Sequence, residues 1–449
     1  MNKATKTQPQ RLSRPAALGL GERLRQLRVA AGLTQTDLAG DRFSKEYVSQ
    51  IERGKTRPTS ETIEWLAVRL GIDPGFLANG VSMDERGRVE GALARAEALV
   101  QADQWAEAVD AYESVRASVL ATGSAELEMR ALLGEARARG RDVGDVRNAI
   151  PLLERARGLA EQQTFSDLER AEVLFELGVA RYKLSSISSA LGLLNAALEL
   201  AERSGLPCDL LRSSILDWRS RCYRRQRDFQ AAKEDVERAL ELAQSSGDAR
   251  ATANAFFQAS IVAEREGHWV LARTYAEQAK SIYEDLADQR HVGRLLNNLG
   301  GLNFLLGKAD AAVPHLTEAF RIALDMGNEA DAAQAVSSLA QVHLRTGNND
   351  QAAEQARHAL RLLNGRVDFL DEIGNAQLVL GRALLEQGQL DEAEEQFRAA
   401  DSTFEQFSSV SHRAASWVAL GDLATRRGDD REAAHMYRRA AEALQDFRF

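Results

Sequence analysis

Leu299-Gly300-Gly301-Leu302-Asn303-Phe304-Leu305-Leu306-Gly307-Lys308-Ala309-Asp310-Ala311-Ala312 is the stretch from which the fold is read. Gly307 suits a helix end in the left-handed conformation that side chains disfavour. Seven residues before it stands Gly300, behind a leucine, and five after it Ala312, so the stretch predicts helix, turn, helix. Ala312 belongs to a series of Ala108, Ala149, Ala190, Ala231, Ala272, Ala312, Ala352, Ala393 and Ala433, spaced by 40 or 41 residues. A fixed period of this kind marks stacked supersecondary units, here about nine helical hairpins.

Leu177-Gly178, Leu380-Gly381 and Leu420-Gly421 hold the same place as Leu299-Gly300, twelve residues before an alanine of the series, and Gly388 and Gly428 repeat the turn. A second small set, Ala156, Ala197, Ala279, Ala319, Ala359, Ala400 and Ala440, follows seven residues after the first, on the same helix face. Paired helices approach closely only where neither carries a large side chain. This arrangement resembles the tetratricopeptide repeat over roughly residues 90 to 449. Its unit is longer than the family's pattern of about 34 residues and lacks the closing proline. In the middle units Arg219 and Ser260 stand where glycine is expected.

Composition agrees with an all-α fold. The 449 residues include only 7 prolines and 6% aromatics, and alanine and leucine abound, residues that lose little freedom in a helix. Cys208 and Cys222, the only cysteines, are too few for a disulfide framework and lack zinc spacing, so they read as reduced and buried. No apolar run approaches the ~18 residues of a membrane span, and no signal peptide is legible. A bacterial cytoplasmic protein, nucleoid-associated when on DNA, is the expectation.

The net charge of −9 conceals an asymmetry. Residues 1 to 80 hold thirteen Lys and Arg against eight Asp and Glu, a net of +5, which leaves −14 for residues 81 to 449. Nucleic acid responds to the local field, so the positive end is the candidate binding region. The expected domains are a disordered basic tail (1–18), a five-helix domain (19–79), a linker (80–89) and the repeat domain (90–449). The tail carries Lys3, Lys6, Arg11 and Arg14, and a minor-groove arm is an alternative reading of it.

Within residues 20 to 78, helical patterns run about 20 to 31, 34 to 39, 44 to 52, 60 to 70 and 74 to 78. Leu24, Leu27, Leu33, Leu38, Val48, Ile51, Ile63, Leu66 and Leu70 would form their core. Thr34 and Ser44 suit helix starts, and Gly32 and Gly54 suit helix ends. Gly32-Leu33-Thr34-Gln35, Asp37-Leu38-Ala39 and Tyr47-Val48-Ser49-Gln50-Ile51-Glu52-Arg53-Gly54-Lys55 closely resemble the XRE family of helix-turn-helix regulators. The loop Gly40 to Phe43 is slightly shorter than usual in that family.

The resemblance implies that helix 44 to 52 enters the major groove, the groove that admits a helix and gives each base pair its own pattern. Val48 and Ile51 would face inward. Lys45, Glu46, Ser49 and Gln50 then match positions that touch base edges; lysine suits guanine, glutamine adenine, and glutamate accepts from cytosine. Gln35, Arg53, Lys55 and Arg57 correspond to positions that grip phosphates and so position without specifying. Arg28 and Glu52 match a structural salt bridge.

Enzymatic chemistry finds no support, and neither a cofactor nor a metal is expected. Gly54-Lys55-Thr56 superficially matches a phosphate-binding loop, yet Ser49 stands where glycine is required. The seven histidines form no metal-binding pair.

On the repeats, the first helix of each hairpin would line a concave wall. Counting from the tight-packing position places Asn254, Phe257, Arg294, Asn297, Gln334, Ser337, Gln341, Asn375 and Arg382 on it. Amides both donate to and accept from a peptide bond, and arginine takes a carboxylate. The two-part architecture also resembles the RRNPP group of peptide-sensing regulators, which implies a peptide effector and a homodimer. A polar wall without ligand is the alternative. The expected function is a dimeric, sequence-specific transcriptional regulator of double-stranded DNA. A repeat-based adaptor anchored on DNA, binding a protein partner, is the competing reading.

Overall fold

Side-chain caps set the starts of the first helices. In the computed structural model these are α1 (Leu20–Ala30), α2 (Gln35–Ala39), α3 (Lys45–Glu52), α4 (Ser60–Leu70) and α5 (Pro74–Asn79). Thr34, Ser44, Thr59 and Asp73 each accept a hydrogen bond from a backbone amide in the first turn of the helix that follows. Gly32 and Gly54 take φ values of 71° and 69°, as their expected place at helix ends requires. Leu24, Leu38, Val48, Ile51 and Leu66 are at most 1% exposed. Leu27, Leu33, Ile63 and Leu70 pack around them, and Leu77 joins the core from α5.

The structure describes residues 19–80, 82–140, 145–366, 369–406 and 410–445, all of whose regular structure is helical. The expected basic tail, 1–18, lies outside the described residues. None of the described helices is long and apolar enough to cross a membrane.

Nine helical hairpins follow among the described residues. Three lie in a first compact unit that ends at Cys208: α6 (Met83–Gln101) with α7 (Trp105–Thr122), α8 (Ala125–Gly140) with α9 (Val146–Ala160), and α10 (Asp167–Lys183) with α11 (Ile187–Arg203). Helix α6 starts at Met83, inside the stretch 80–89 read as linker, so most of that stretch is helix.

Six hairpins form the second unit, from Asp209 onward. They pair α12 (Asp209–Arg225) with α13 (Phe229–Ser246), α14 (Ala249–Arg265) with α15 (Trp269–Asp285), and α16 (Gln289–Leu305) with α17 (Ala309–Asp325). The last three pair α18 (Glu329–Arg345) with α19 (Asn349–Leu362), α20 (Leu370–Glu386) with α21 (Leu390–Gln406), and α22 (Val410–Arg427) with α23 (Asp430–Gln445). Successive hairpins pack on one another, and first helices also meet, α16 with α18 and α18 with α20. The paired glycines and alanines explain the close approach. A Cβ on Gly300 would lie 2.5 Å from the Leu316 side chain, and one on Gly381 2.5 Å from the Phe397 ring. Each of these large residues stands one turn after an alanine of the series.

The period holds with one correction. Ala232, not Ala231, is the fully buried small residue of the fourth hairpin. It stands 42 residues after Ala190, one more than the spacing of the series gives. The glycine position of that hairpin accordingly falls on Ser220 rather than Arg219. Ser220 and Ser260 are almost wholly buried there, and their hydroxyls donate to the Asp217 carbonyl and to Asn298. Cys208 and Cys222 are free thiols and buried, as expected.

Seven residues after that small position the chain turns left-handed. Gly267, Gly307, Gly347, Gly388 and Gly428 fill the turn in five hairpins, whereas Asp103, Ser185 and Arg227 adopt it at φ 58°, 59° and 63°. A side chain there is strained. Arg227→Gly is therefore expected to raise stability by about 0.5 kcal/mol after the glycine's extra unfolded-state entropy is deducted. Arg227→Val is expected to lower it, both read as shifts of the urea midpoint.

Candidate nucleic-acid interface

Two short helices and the turn after the second build this surface. Thr34 and Asp37 form a reciprocal capping box that fixes the start of α2. The Asp37 carboxylate accepts from the Thr34 hydroxyl at 2.6 Å and from its backbone amide at 2.8 Å, which holds its pKa below the usual carboxylate range. At α3 the Ser44 hydroxyl accepts from the Tyr47 amide at 3.1 Å. Val48 and Ile51 then turn into the core, and Lys45, Glu46 and Gln50 are exposed, with Ser49 half-buried between them. Positions i, i+1, i+4 and i+5 share one helical face, so the four expected base-reading residues are brought together.

Glu52, the last residue of α3, ties three helices. Its side chain is 3% exposed and takes Arg28 Nε at 2.6 Å and Arg28 Nη2 at 3.1 Å. Gln35 Nε2 donates to the same carboxylate at 2.7 Å, and Arg28 Nη1 donates to the Leu33 carbonyl at 2.9 Å. Burial alone would raise the Glu52 pKa; the hydrogen bonds from Arg28 and Gln35 and the Arg28 charge pull it below its ordinary value. The expected Arg28–Glu52 pair is thus present. Gln35 is anchored through one amide hydrogen, and its second remains able to donate.

Arg53, Lys55 and Arg57 are exposed along the turn after α3 and have no ion pair among the described residues. Gly54 lets this turn reverse, and the Lys55 amide closes it on the Gln50 carbonyl at 2.9 Å. Three further residues escape the sequence reading. Thr56 donates to Gln50 Oε1 at 3.0 Å. Gly21 packs α1 on the end of α3 so closely that a Cβ would collide with the Ile51 and Glu52 carbonyl oxygens. A glycine inside a helix, costly by about 1 kcal/mol, is the signal that marks it. The third, Arg23, is 5% exposed and donates to the Leu77 carbonyl at 3.0 Å and the Ala78 carbonyl at 2.7 Å, tying α1 to α5.

The candidate effector residues are only partly assembled. Arg294, Asn297 and Gln334 line one recess between α16, α17 and α18, with Arg290, Asn328 and Asp331. Arg294 is already paired to Asp331 at 2.9 Å, and Asn254 accepts from the Tyr283 hydroxyl at 2.5 Å. Phe257 packs against the core rather than standing free. Ser337, Gln341, Asn375 and Arg382 lie outside the recess, Gln341 and Arg382 being exposed.

Comparison with known proteins follows this division. Residues 19–78 match a family described as a helix-turn-helix domain. Residues 211–285 and 291–364 match one tetratricopeptide repeat family, and 141–205, 339–407 and 378–446 match another. The HTH-type transcriptional regulator DdrOP3 of Deinococcus deserti is 46% identical over 63 residues, 14% of this chain and 49% of that protein. The match thus spans about half the length of that relative. Among solved structures, a Rap protein complexed with competence and sporulation factor superposes with a TM-score of 0.60 at 16% identity, over 80% of this chain and 98% of its own. The apo form of the quorum sensor NprR from B. thuringiensis gives 0.59 at 15%, over 80% and 99%. At these identities the likeness is one of fold.

Arg28→Ala is expected to destabilise the first five helices by about 3 kcal/mol, because it strands a buried carboxylate. Fluorine NMR of a fluorotryptophan at Trp65 during urea unfolding checks this. Glu52 has a folded pKa below its unfolded one, so its stabilisation is present above about pH 4.3 and is lost as pH falls through the folded value. The stability gap between Glu52→Gln and the wild type should accordingly be open at pH 7 and close below about pH 4.

Proposed function

We propose that this chain, a helix-turn-helix domain followed by tetratricopeptide repeats, is a sequence-specific DNA-binding transcriptional regulator and not an enzyme. One observation carries the reading. Lys45, Glu46, Ser49 and Gln50 stand on the free face of α3, and Arg53, Lys55 and Arg57 follow it without ion pairs among the described residues. Cations unoccupied by the protein's own acids are available to phosphates, while the helix face meets base edges in the major groove. The DdrOP3 match over 63 residues supports it.

Lys45 suits guanine, Gln50 adenine, and Glu46 accepts from cytosine N4. Gln35, Arg53, Lys55 and Arg57 fix the register on the backbone. One recognition helix reads few base pairs, so the regulator acts as a homodimer on a palindromic site. The repeats serve dimerisation and sense an effector. A peptide effector is assigned to the wall that carries Arg294, Asn297 and Gln334, because amides donate to and accept from peptide groups. The effector acts by preferring one arrangement of the two recognition helices. A bacterial cytoplasm, with the nucleoid as its site of action, follows from this role.

A second reading, an adaptor whose repeats carry a partner protein, is favoured by the run Trp269, Val270 and Leu271. These are 39%, 61% and 43% exposed at the start of α15, where apolar residues are normally covered.

Sequencing of genomic fragments retained by the full-length protein should yield one palindromic motif, lost in the Lys45→Ala, Gln50→Ala double variant. The absence of a motif, or one indifferent to these changes, turns the reading to the adaptor. Lys55→Ala and Arg57→Ala should each weaken binding to all sequences alike and reduce the slope of log K against log salt by about 0.9. A monomer mass at micromolar concentration, with and without the recovered site, would rule out the dimer.

A further inference from the structure

Gln50 is the one exposed base-reading residue on α3 whose side chain is held by another side chain. The hydroxyl of Thr56 donates to its Oε1 at 3.0 Å. Thr56 reaches it because the chain reverses immediately after α3. Arg53 caps the helix, Gly54 turns left-handed at φ 69°, its amide bonds to the Ile51 carbonyl at 2.9 Å, and the Lys55 amide bonds to the Gln50 carbonyl at 2.9 Å. The backbone of Gln50 and the backbone just before Thr56 are therefore fixed relative to each other, and the side-chain contact spans a closed turn. Lys55 and Arg57 flank Thr56, so the segment that holds Gln50 is the one placed to grip phosphates.

We infer that Thr56 is a positioning residue that sets the base preference of Gln50; this rests on the DNA-binding reading above. A free glutamine side chain rotates about three bonds and exchanges its oxygen and nitrogen by a half-turn, so it meets a donor or an acceptor indifferently. A carboxamide oxygen has two lone pairs. With one taken by Thr56 the side chain is tethered, and in the orientation seen here one lone pair and both Nε2 hydrogens remain. That is the combination adenine requires, which offers an N6 donor beside an N7 acceptor in the major groove. Thr56 touches no base in this arrangement. Its contribution is to remove side-chain freedom that base recognition would otherwise have to remove, so its loss flattens preference at a single base pair.

The test compares four full-length proteins by selection from a random double-stranded library followed by sequencing: wild type, Gln50→Ala, Thr56→Val and Thr56→Ser. Gln50→Ala identifies the base pair that Gln50 reads. At that pair the wild type is expected to select adenine, Thr56→Val to lose about fivefold of the preference, and Thr56→Ser, which keeps the hydroxyl, to retain it. Other positions should be unchanged, and so should the salt dependence of non-specific binding. Three results would overturn the inference. They are an undiminished preference in Thr56→Val, a uniform loss of affinity with all preferences intact, which would make Thr56 a phosphate contact, and a flattened preference in Thr56→Ser as well. Absence of any motif in the wild type is a different outcome, because it removes the DNA-binding reading itself and Thr56's role with it.

Discussion

The carboxylate of Glu52 is nearly removed from solvent, an arrangement that stands only because a guanidinium and an amide meet it there. Arg28 comes from α1, Gln35 from α2 and Glu52 from the end of α3, so one acidic group fixes the mutual placement of the helices that would face DNA. Packing of Val48 and Ile51 into the core sets how α3 is rotated about its axis. The Glu52 network sets where its end lies, and with it the turn bearing Arg53, Lys55 and Arg57. Gly21 is the steric condition for this arrangement, since any larger residue would hold α1 away from the Ile51 and Glu52 carbonyls. The exposed face of α3 and the cationic turn after it thereby become one rigid object, as direct readout would demand.

The repeat units rest on a different constraint, the closeness of paired helices, and it is written plainly in the sequence because it demands small residues at a fixed interval. The count of nine hairpins and their helix-turn-helix form were legible from this alone. Register was legible wherever the spacing of 40 or 41 residues lands on the buried alanine, as it does in eight of the nine hairpins. At Ala231 and Ala232 two alanines compete, and burial decides for the second. The left-handed turns behaved alike. Glycine announces them in five hairpins, but Asp103, Ser185 and Arg227 take the same conformation without a glycine to mark it. There the stacked hairpins impose the backbone and the residue bears the strain.

The residues proposed to face DNA were easy to place because helix periodicity and caps set them within one short segment, while the role given to them comes from the family resemblance. Lys45, Glu46, Ser49 and Gln50 follow once Val48 and Ile51 are known to face inward. What stayed hidden depends on contacts between side chains or between distant backbones. Thr56 reads as an ordinary turn residue until its hydroxyl is found on Gln50, and Arg23 reads as a surface cation until it is found on the carbonyls of Leu77 and Ala78.

The residues proposed for an effector were the hardest to place from the sequence, for a reason that bears on what they could bind. Their most conspicuous groups are engaged with neighbours: Arg294 holds Asp331, which also accepts from Asn328, and Asn254 holds Tyr283. A ligand carboxylate arriving at Arg294 would exchange one ion pair for another. Because that side chain is 37% exposed, the exchange gains little, of order 0 to 1 kcal/mol for such a pair. Asn297 and Ser337 differ. Each has a buried oxygen without a hydrogen-bond partner among the described residues, and an unmet buried polar group carries a penalty of about 1 to 3 kcal/mol. Neither oxygen is exposed, however, and Ser337 lies outside the recess, so a ligand on this face would meet Arg294 and Gln334 before these two atoms. Asn297 Oδ1 can only accept, whereas the Ser337 hydroxyl can donate or accept.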